Sequence, residues 1–172
     1  MTEKDRVMID IETLGIEPGS VILSIGAVRF DTDGLGKETH INVDLQSCQE
    51  AGLEIDANTL EWWLSQEEDV QHILTGGMDL SKALFRLSRF YDDASEVWAF
   101  SPSFDCAHLE QAYEALNIVI PWNYQEKRDC RTLANTELWP DMDQDGDEHN
   151  ALDDAKYQAR QTVKAFQAME EL

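Results

Sequence analysis

Two acidic residues inside an apolar run place the strongest constraint on how this chain folds. Asp10 and Glu12 interrupt a stretch that begins at Val7 and is otherwise apolar. Side chains two positions apart on a β-strand point to the same face, so both carboxylates would project together from a short buried strand. Two like charges buried side by side are costly unless a cation lies between them or one carboxyl keeps its proton.

The pair at Asp10 and Glu12 is compatible with two interpretations. Carboxylate oxygens suit hard divalent ions such as Mg²⁺ or Mn²⁺, so the pair is a candidate metal site. A solvated acidic pair at a strand end is a common alternative, and these two residues alone do not decide between them.

Length and composition indicate one intracellular domain. The chain has 172 residues, 42% of them hydrophobic, and we expect a single domain over residues 1–172 with a sizeable core. It has no apolar run of about 18 residues and no signal-peptide pattern, so we expect neither a membrane span nor export. Cys48, Cys106 and Cys130 fit neither a zinc motif nor an even disulfide set, so we expect free thiols and a cytoplasmic location.

The charge restricts the partners that the chain can bind. Its 35 acidic and 13 basic residues give a formal net charge of −22, which disfavours broad contact with a phosphate backbone. Any nucleic-acid function would therefore need metal-bridged carboxylates and a few well-placed basic residues, because a wide basic groove is excluded.

The apolar pattern predicts an α/β fold with a mixed sheet flanked by helices. Strands are predicted over residues 7–11, 21–30 and 38–43 as an antiparallel meander, with a fourth over residues 96–100. Gly26 interrupts the second strand, and a glycine there indicates a bulge or a close backbone approach.

Helices are predicted after the meander. They begin at Asp56, Asp79 and Ser103, a short one spans residues 129–137, and a long closing helix spans residues 150–171. The inward face of the closing helix is predicted to carry Ala155, Ala159, Thr162, Val163, Phe166 and Met169.

Three more residues with metal-binding or acid–base side chains lie where elements begin. Asp105 follows the fourth strand and opens a helix, at the sheet edge where α/β proteins place their sites. His149 lies just before the closing helix, and Asp154 lies near its start. Each has an ordinary explanation as well, because acids favour the first turn of a helix and a histidine in a loop is usually solvated.

Together these residues provide the carboxylates and the imidazole that hydrolysis of a phosphodiester bond requires. Two divalent ions about 3.5–4 Å apart, held by carboxylates, activate water and neutralise the leaving oxygen. A histidine with an ordinary pKa of about 6.5 is suited to take the proton from that water.

The sequence resembles the DEDDh branch of the DnaQ-like 3′–5′ exonuclease superfamily, whose motifs occur here in order. Asp10 and Glu12 match its Asp-x-Glu, Phe104-Asp105 its Phe-Asp, and His149 with Asp154 its C-terminal His and Asp. Within the branch it looks most like small phage-type and bacterial exonucleases and exoribonucleases. It shares with them Asp-Ile-Glu-Thr-Leu-Gly, Thr-x-x-Trp-Trp, and Pro-Trp followed by Arg-Asp-x-Arg-Thr.

This resemblance implies an RNase H-like fold and release of nucleoside 5′-monophosphates from the 3′ end of single-stranded RNA or DNA. It implies that Asp10, Glu12, Asp105 and Asp154 hold two Mg²⁺ or Mn²⁺ ions, Asp105 directly or through water, and that His149 is the general base. The chain departs from many relatives at residues 100–103, which lack an asparagine before Phe-Asp, and this puts the sugar contacts in doubt.

Further residues are candidates for substrate binding. The resemblance implies that Thr13 and Leu14 meet the terminal nucleotide, with Leu14 wedged against its base. Of the adjacent Trp62 and Trp63, one is expected in the core and the other, taken as Trp63, as a platform for base stacking. Core packing of both indoles is an equal alternative.

Few basic residues are available for phosphate contacts. Lys127, Arg128 and Arg131 form a cluster near the start of the short helix, and Arg128 and Arg131 are taken from it as the binding candidates. Lys156, Arg160 and Lys164 form a stripe on the closing helix, for which ion pairing with neighbouring acids is the favoured alternative.

An acidic segment over residues 141–148 has two interpretations. Its start copies an EF-hand calcium loop, but Leu152 occupies the twelfth position, where a bidentate glutamate is expected. A mobile lid that brings His149 to the substrate is the favoured alternative.

Two rival functions fit parts of the pattern. One is a proofreading subunit that acts mainly through a polymerase or replication partner, which would be expected to carry a binding tail after its last helix. The other is a silent nucleic-acid-binding module, which would not need all five catalytic-type residues. Small relatives are often dimers, so a homodimer is considered as the assembly.

Overall fold

The computed structural model describes residues 4–67, 71–144, 146 and 149–172. Within these residues the chain forms a five-stranded sheet, six α-helices and a 3₁₀ turn, His72–Leu74. The strands are β1 (Arg6–Thr13), β2 (Ile22–Asp31), β3 (Gly34–Asn42), β4 (Glu96–Ala99) and β5 (Lys127–Asp129). The helices are α1 (Leu45–Glu50), α2 (Ala57–Leu64), α3 (Leu80–Tyr91), α4 (Asp105–Ala115), α5 (Cys130–Ala134) and α6 (Ala151–Glu170).

The sheet is mixed, in the order β3-β2-β1-β4-β5. Strands β1, β2 and β3 pair antiparallel, which confirms the predicted meander, whereas β4 pairs parallel to β1 and β5 parallel to β4. The carboxyl ends of β1, β4 and β5 therefore meet at one edge, where α/β proteins place their sites. The predicted α/β class is confirmed.

Short elements and element ends account for the differences from the sequence-based prediction. Strand β3 begins at Gly34, earlier than the predicted start at residue 38, so a tight turn joins it to β2. The six-residue α1 and the three-residue β5 were not predicted, because such short elements show no clear periodicity. Met169 lies in the last turn of α6 and is 44% exposed, so its predicted inward orientation is wrong.

Polar caps explain where five of the six described helices begin. Each of these five is preceded by a side chain that accepts a hydrogen bond from a backbone N–H of the first turn. The caps are Asp44, Asp56, Asp79, Asp129 and Asn150. Helix α4 has no such cap, and its own first residue, Asp105, places a carboxylate at the positive end of the helix dipole.

Strand β1 separates two apolar cores. Its odd-numbered residues from Val7 to Ile11 point into the larger core, which α1, α2, α3 and α4 cover. Met8 points to the opposite face and packs in the smaller core, to which α6 contributes. Asp10 and Glu12 follow Met8 at intervals of two residues, so they lie on the face covered by α6.

Gly26 lets the start of α6 approach the sheet closely. It pairs with Asp10 across the β1–β2 ladder, and a Cβ added to it would lie 2.1 Å from the carbonyl oxygen of Ala151. Only a residue without a side chain fits this contact, so the predicted close backbone approach is confirmed. The contact sets the position of α6, and hence of Asp154, relative to Asp10.

In the described ranges, no helix combines the length and the apolar character needed to cross a membrane. The cytoplasmic location stays a prediction.

We expect Gly26→Ala to lower the free energy of unfolding by about 1–3 kcal/mol, because the added methyl group forces α6 away from β2. The same shift moves Asp154 and should weaken the binding of Mn²⁺, measured by calorimetry beside urea denaturation. Gly36→Ala in β3 is the matched control, since its Cβ would meet mainly the flexible side chain of Lys4. Equal stability and equal Mn²⁺ affinity in the two variants would contradict the role given to Gly26.

Candidate active site

Three carboxylates from distant parts of the sequence converge at one edge of the sheet. Asp10 and Glu12 come from the second half of β1, and Asp154 from the start of α6. One carboxylate oxygen from each residue lies within 4.8 Å of those from the other two. Ligands on opposite sides of a divalent ion, each at about 2.0–2.6 Å, are up to about 5 Å apart, so this spacing allows a shared cation.

Asp105 lies beside this group, at the start of α4. It is 5% exposed, and its charge raises the pKa values of Asp10 and Glu12, so it faces the same space. It is outside the group of three whose oxygens lie within 4.8 Å of one another. Burial raises the pKa of Asp105, although backbone hydrogen bonds and the charge of Arg131 act in the opposite direction.

Burial and mutual repulsion make these carboxyl groups hold their protons. Burial is the largest cause at Asp10, whose pKa lies well above its ordinary range, and repulsion from Asp105 and Glu12 adds to it. Burial, with repulsion from Asp154 and Asp105, raises the pKa of Glu12 to about 8. Among the described residues, no lysine or arginine forms an ion pair with Asp10 or Glu12. A divalent cation would remove this repulsion, so the residues present fit such an ion.

Two glutamines that sequence reasoning missed support the carboxylates. Gln158 donates from Nε2 to Oδ1 of Asp10 at 2.8 Å, and Gln144 donates from Nε2 to Oδ1 of Asp154 at 2.5 Å. Gln158 stands four residues after Asp154, and this spacing places both on one face of the helix. The spacing of four residues from Asp154 could have identified Gln158 from the sequence. No comparable pattern in the sequence points to Gln144.

His149 lies at the same end of β1 as the carboxylates. Its φ of 62° is uncommon for a residue with a side chain. Its imidazole makes edge-on contacts with two indoles, with ring centroids 4.8 Å from Trp62 and 5.9 Å from Trp63. Trp63 donates its indole N–H to the carbonyl of Thr13 at 2.9 Å, which connects the histidine to the residue that follows Glu12.

The structure buries three of the predicted substrate-binding residues. Leu14 has no exposed surface and Trp63 is 1% exposed, while Thr13 is 7% exposed and donates its hydroxyl to the carbonyl of Gly15. The tryptophan prediction therefore needs correction, because Trp63 belongs to the core and Trp62 is the accessible one, at 43% exposure. Contact between Leu14 and a base would require its side chain to leave the core.

The two predicted phosphate-binding arginines differ in their surroundings. Arg128 is engaged, since it donates from Nε to Glu96 at 3.0 Å and from Nη1 to backbone carbonyls. Arg131 is exposed, with its guanidinium 5.2 Å from the ring centre of Phe100, and its positive charge reaches Asp105. Arg131 is therefore the better placed of the two to meet a phosphate at this site.

The basic stripe on α6 is partly used in ion pairing. Lys156 pairs with Glu38 at 3.0 Å, which confirms the favoured alternative for this member of the stripe.

The acidic segment over residues 141–148 is described only in part. Asp145, Asp147 and Glu148 lie outside the described residues, so the calcium loop and the lid both stay predictions. Its described part contacts α6, through Gln144 and through Tyr157, whose hydroxyl donates to the carbonyl of Met142 at 2.7 Å.

Solved nuclease structures share this fold. The nuclease domain of 3′hExo, a DEDDh family member, bound to rAMP, matches with a TM-score of 0.72 at 14% sequence identity, over 99% of this chain and 96% of that one. Exonuclease X in complex with 5′ overhanging duplex DNA matches with a TM-score of 0.62 at 16% identity, over 96% and 93%. These matches confirm the RNase H-like fold. No curated protein matches the sequence.

The class of the protein follows from its fold, its acidic site and its sequence family. The fold is shared with the nuclease domain of a DEDDh family member, and the cluster of carboxylates could hold a metal ion. The family model of the 3′–5′ exoribonuclease Rv2179c-like domain matches residues 5–166, nearly the whole chain. The chain therefore belongs to the Rv2179c-like 3′–5′ exoribonuclease domain family and is a 3′–5′ exonuclease. The predicted membership of the DnaQ-like superfamily is confirmed.

We expect the metal-free protein to lose stability as the pH rises from about 5 to 8. The pKa of Glu12 is 4.5 ordinarily and about 8 when folded, so in this window the folded state binds more protons than the unfolded state. Its free energy of unfolding therefore falls as the pH rises. Denaturation in EDTA from pH 5 to 8 measures this slope.

Glu12→Gln provides the matched control for this slope, because its amide does not titrate. The dependence on pH should be shallower in this variant, and Mg²⁺ should stabilise the wild-type protein more at pH 8 than at pH 5. A wild-type slope that is flat or positive, or unchanged by Glu12→Gln, would contradict the pKa assigned to Glu12.

We expect Gln158→Ala to weaken Mn²⁺ binding by about 10- to 100-fold, because residues that orient a metal ligand commonly have effects of this size. The variant removes the hydrogen bond to Asp10 while leaving every carboxylate in place. Gln167→Ala on the same helix is the control, since that side chain bonds to Thr32 instead. Calorimetric titration with Mn²⁺ measures both, and equal affinities would remove Gln158 from the site.

Proposed function

We propose that this protein removes nucleoside 5′-monophosphates from the 3′ end of single-stranded RNA, by a two-metal mechanism with His149 as the general base. The convergence of Asp10, Glu12 and Asp154 within 4.8 Å, with Asp105 beside them, is the observation that supports this proposal most strongly. RNA is supported by the family description and by the rAMP bound to 3′hExo.

Each residue of the site has a defined role in this proposal. When bound, two Mg²⁺ or Mn²⁺ ions supply activation of water and charge neutralisation at the leaving oxygen. Asp10, Glu12 and Asp154 hold these ions, and Asp105 completes the ligand set directly or through water. His149 takes the proton from the attacking water.

The strongly acidic surface favours a substrate that is held through few contacts. The exposed Arg131 would bind a phosphate of the RNA, because its guanidinium lies within electrostatic reach of Asp105. A single strand suits an enzyme that removes one terminal nucleotide at a time. The contacts of Thr13 and Leu14 with the terminal nucleotide, and the homodimer, stay predictions.

His149→Ala should lose about 10²- to 10⁴-fold in turnover, the usual contribution of a general base, while retaining its affinity for Mn²⁺. Asp10→Ala should lose both turnover and Mn²⁺ affinity, because it removes a proposed ligand. Release of mononucleotides from a labelled oligonucleotide measures turnover, and calorimetry measures affinity. His72→Ala, which removes an exposed side chain of the 3₁₀ turn, is the control for loss of a histidine. Unchanged turnover in His149→Ala would remove the assigned base.

The substrate part of the proposal has its own test. Matched RNA and DNA oligonucleotides are each supplied as a single strand and as a blunt duplex, and the rate of release from the 3′ end is compared. The single-stranded RNA should be degraded fastest. Equal rates on RNA and DNA, or faster release from the duplex, would overturn the substrate while leaving the exonuclease activity in place.

A further inference from the structure

The two neighbouring tryptophans of α2 form a fixed pair near the end of β1. Their ring centroids lie 5.0 Å apart with the planes at 79°, a favourable edge-to-face contact. Trp63 is buried and is attached to the strand by its hydrogen bond to the carbonyl of Thr13. Trp62 extends from this anchored neighbour toward solvent and keeps 43% of its surface exposed.

The start of α2 is also attached to the end of β1. Asp56, which caps α2, donates its backbone N–H to the carbonyl of Leu14 at 2.7 Å. The register of the β1–β2 ladder shifts between Glu12 and Thr13. The last pair of this ladder, Thr13 with Ile22, therefore directly follows Glu12. Hydrogen bonds from α2 to two consecutive carbonyls, those of Thr13 and Leu14, therefore hold the helix in a defined position relative to Glu12.

The imidazole of His149 rests against this pair. Its plane is 89° from that of Trp62 and 74° from that of Trp63, and its ring lies closer to Trp62. Among the described residues, no hydrogen bond to its ring nitrogens accompanies these contacts. The left-handed backbone at His149 is costly for a residue with a side chain, so contacts made by the side chain help to maintain it.

We propose that Trp62 is a positioning residue for His149. Because α2 is held against β1, contact with the Trp62 indole fixes the position of the imidazole. The imidazole is thereby held where it takes the proton from the attacking water. This inference rests on the proposed role of His149 as the general base. Trp62 has no part in binding the ions, and its effect on the reaction passes through the histidine.

The test uses the full chain with Trp62→Ala, Trp62→Phe and Phe85→Ala. Phe85, on α3 and 61% exposed, is the control for loss of an exposed aromatic side chain. Trp62→Ala should lower kcat on a single-stranded oligonucleotide by about 10²-fold, the scale of a misplaced catalytic group, with little change in KM. Trp62→Phe should recover most of this loss, because a smaller ring still offers an edge-to-face contact.

A double variant separates positioning from a general effect on structure. If Trp62 acts through His149, then Trp62→Ala should add little to the loss already caused by His149→Ala. Full additivity of the two losses would overturn the inference. Mn²⁺ affinity should be the same in Trp62→Ala and in the wild-type protein.

Proton NMR provides a readout that does not depend on activity. The imidazole resonances of His149, assigned by their loss in His149→Ala, should shift in Trp62→Ala through loss of the indole ring current, and should not shift in Phe85→Ala. Unshifted resonances would overturn the contact.

Other outcomes have distinct meanings. A raised KM with unchanged kcat in Trp62→Ala would identify the indole as a platform for a base and would overturn positioning. Unchanged kcat and KM would also overturn it. Full turnover in His149→Ala would instead show that the proposed function had failed at its base, and this result does not depend on Trp62.

Discussion

Repulsion among the carboxylates at the end of β1 is the interaction on which the rest of this structure depends. Asp105 and Asp154 raise the pKa values of both Asp10 and Glu12, and Glu12 raises that of Asp10, so the charged forms of Asp10 and Glu12 are unfavourable where they stand. The apolar cores on the two faces of β1 offset this cost and keep the strand in place. The site is thus held in a state that a divalent cation would relieve.

Acidic residues occur in two kinds of surroundings that shift their pKa values in opposite directions. At helix starts, hydrogen bonds lower the pKa values of the capping carboxylates. At Asp56 the backbone N–H of Thr59 is the largest cause, and at Asp79 it is the hydroxyl of Ser81, with backbone N–H groups adding to it. At the end of β1 the acids repel one another and their pKa values rise. Several basic residues form ion pairs with acids, as Arg6 and Arg128 do with the same Glu96. The same residue type is therefore a structural cap in one place and a reactive group in another.

Features that repeat along the sequence could be predicted well, whereas close contacts between distant segments could not. The face shared by Asp10 and Glu12 follows from the two-residue period of a strand, and the start of α3 after Asp79 follows from its capping pattern. The family motifs led to the three acidic segments that the structure brings together. The short elements α1 and β5 were missed, because a few residues carry too little periodicity to identify them.

Side-chain exposure was harder to predict than position along the chain. The choice between Trp62 and Trp63 depends on which indole reaches the carbonyl of Thr13, and that carbonyl belongs to a segment 50 residues away. The same limit applies to Leu14, which lies beside an exposed loop yet is fully buried. Gln158 was missed for a related reason, since its partner Asp10 lies 148 residues away in sequence.

The distance in sequence between Asp10 and Asp154 has a consequence for the synthesis of the enzyme on the ribosome. Strand β1 leaves the ribosome well before α6, which supplies Asp154 and covers the acidic face of the sheet. A nascent chain that ends before α6 lacks a carboxylate of the cluster and the helix that closes over it. The chain therefore gains the full carboxylate cluster only after α6 has been translated.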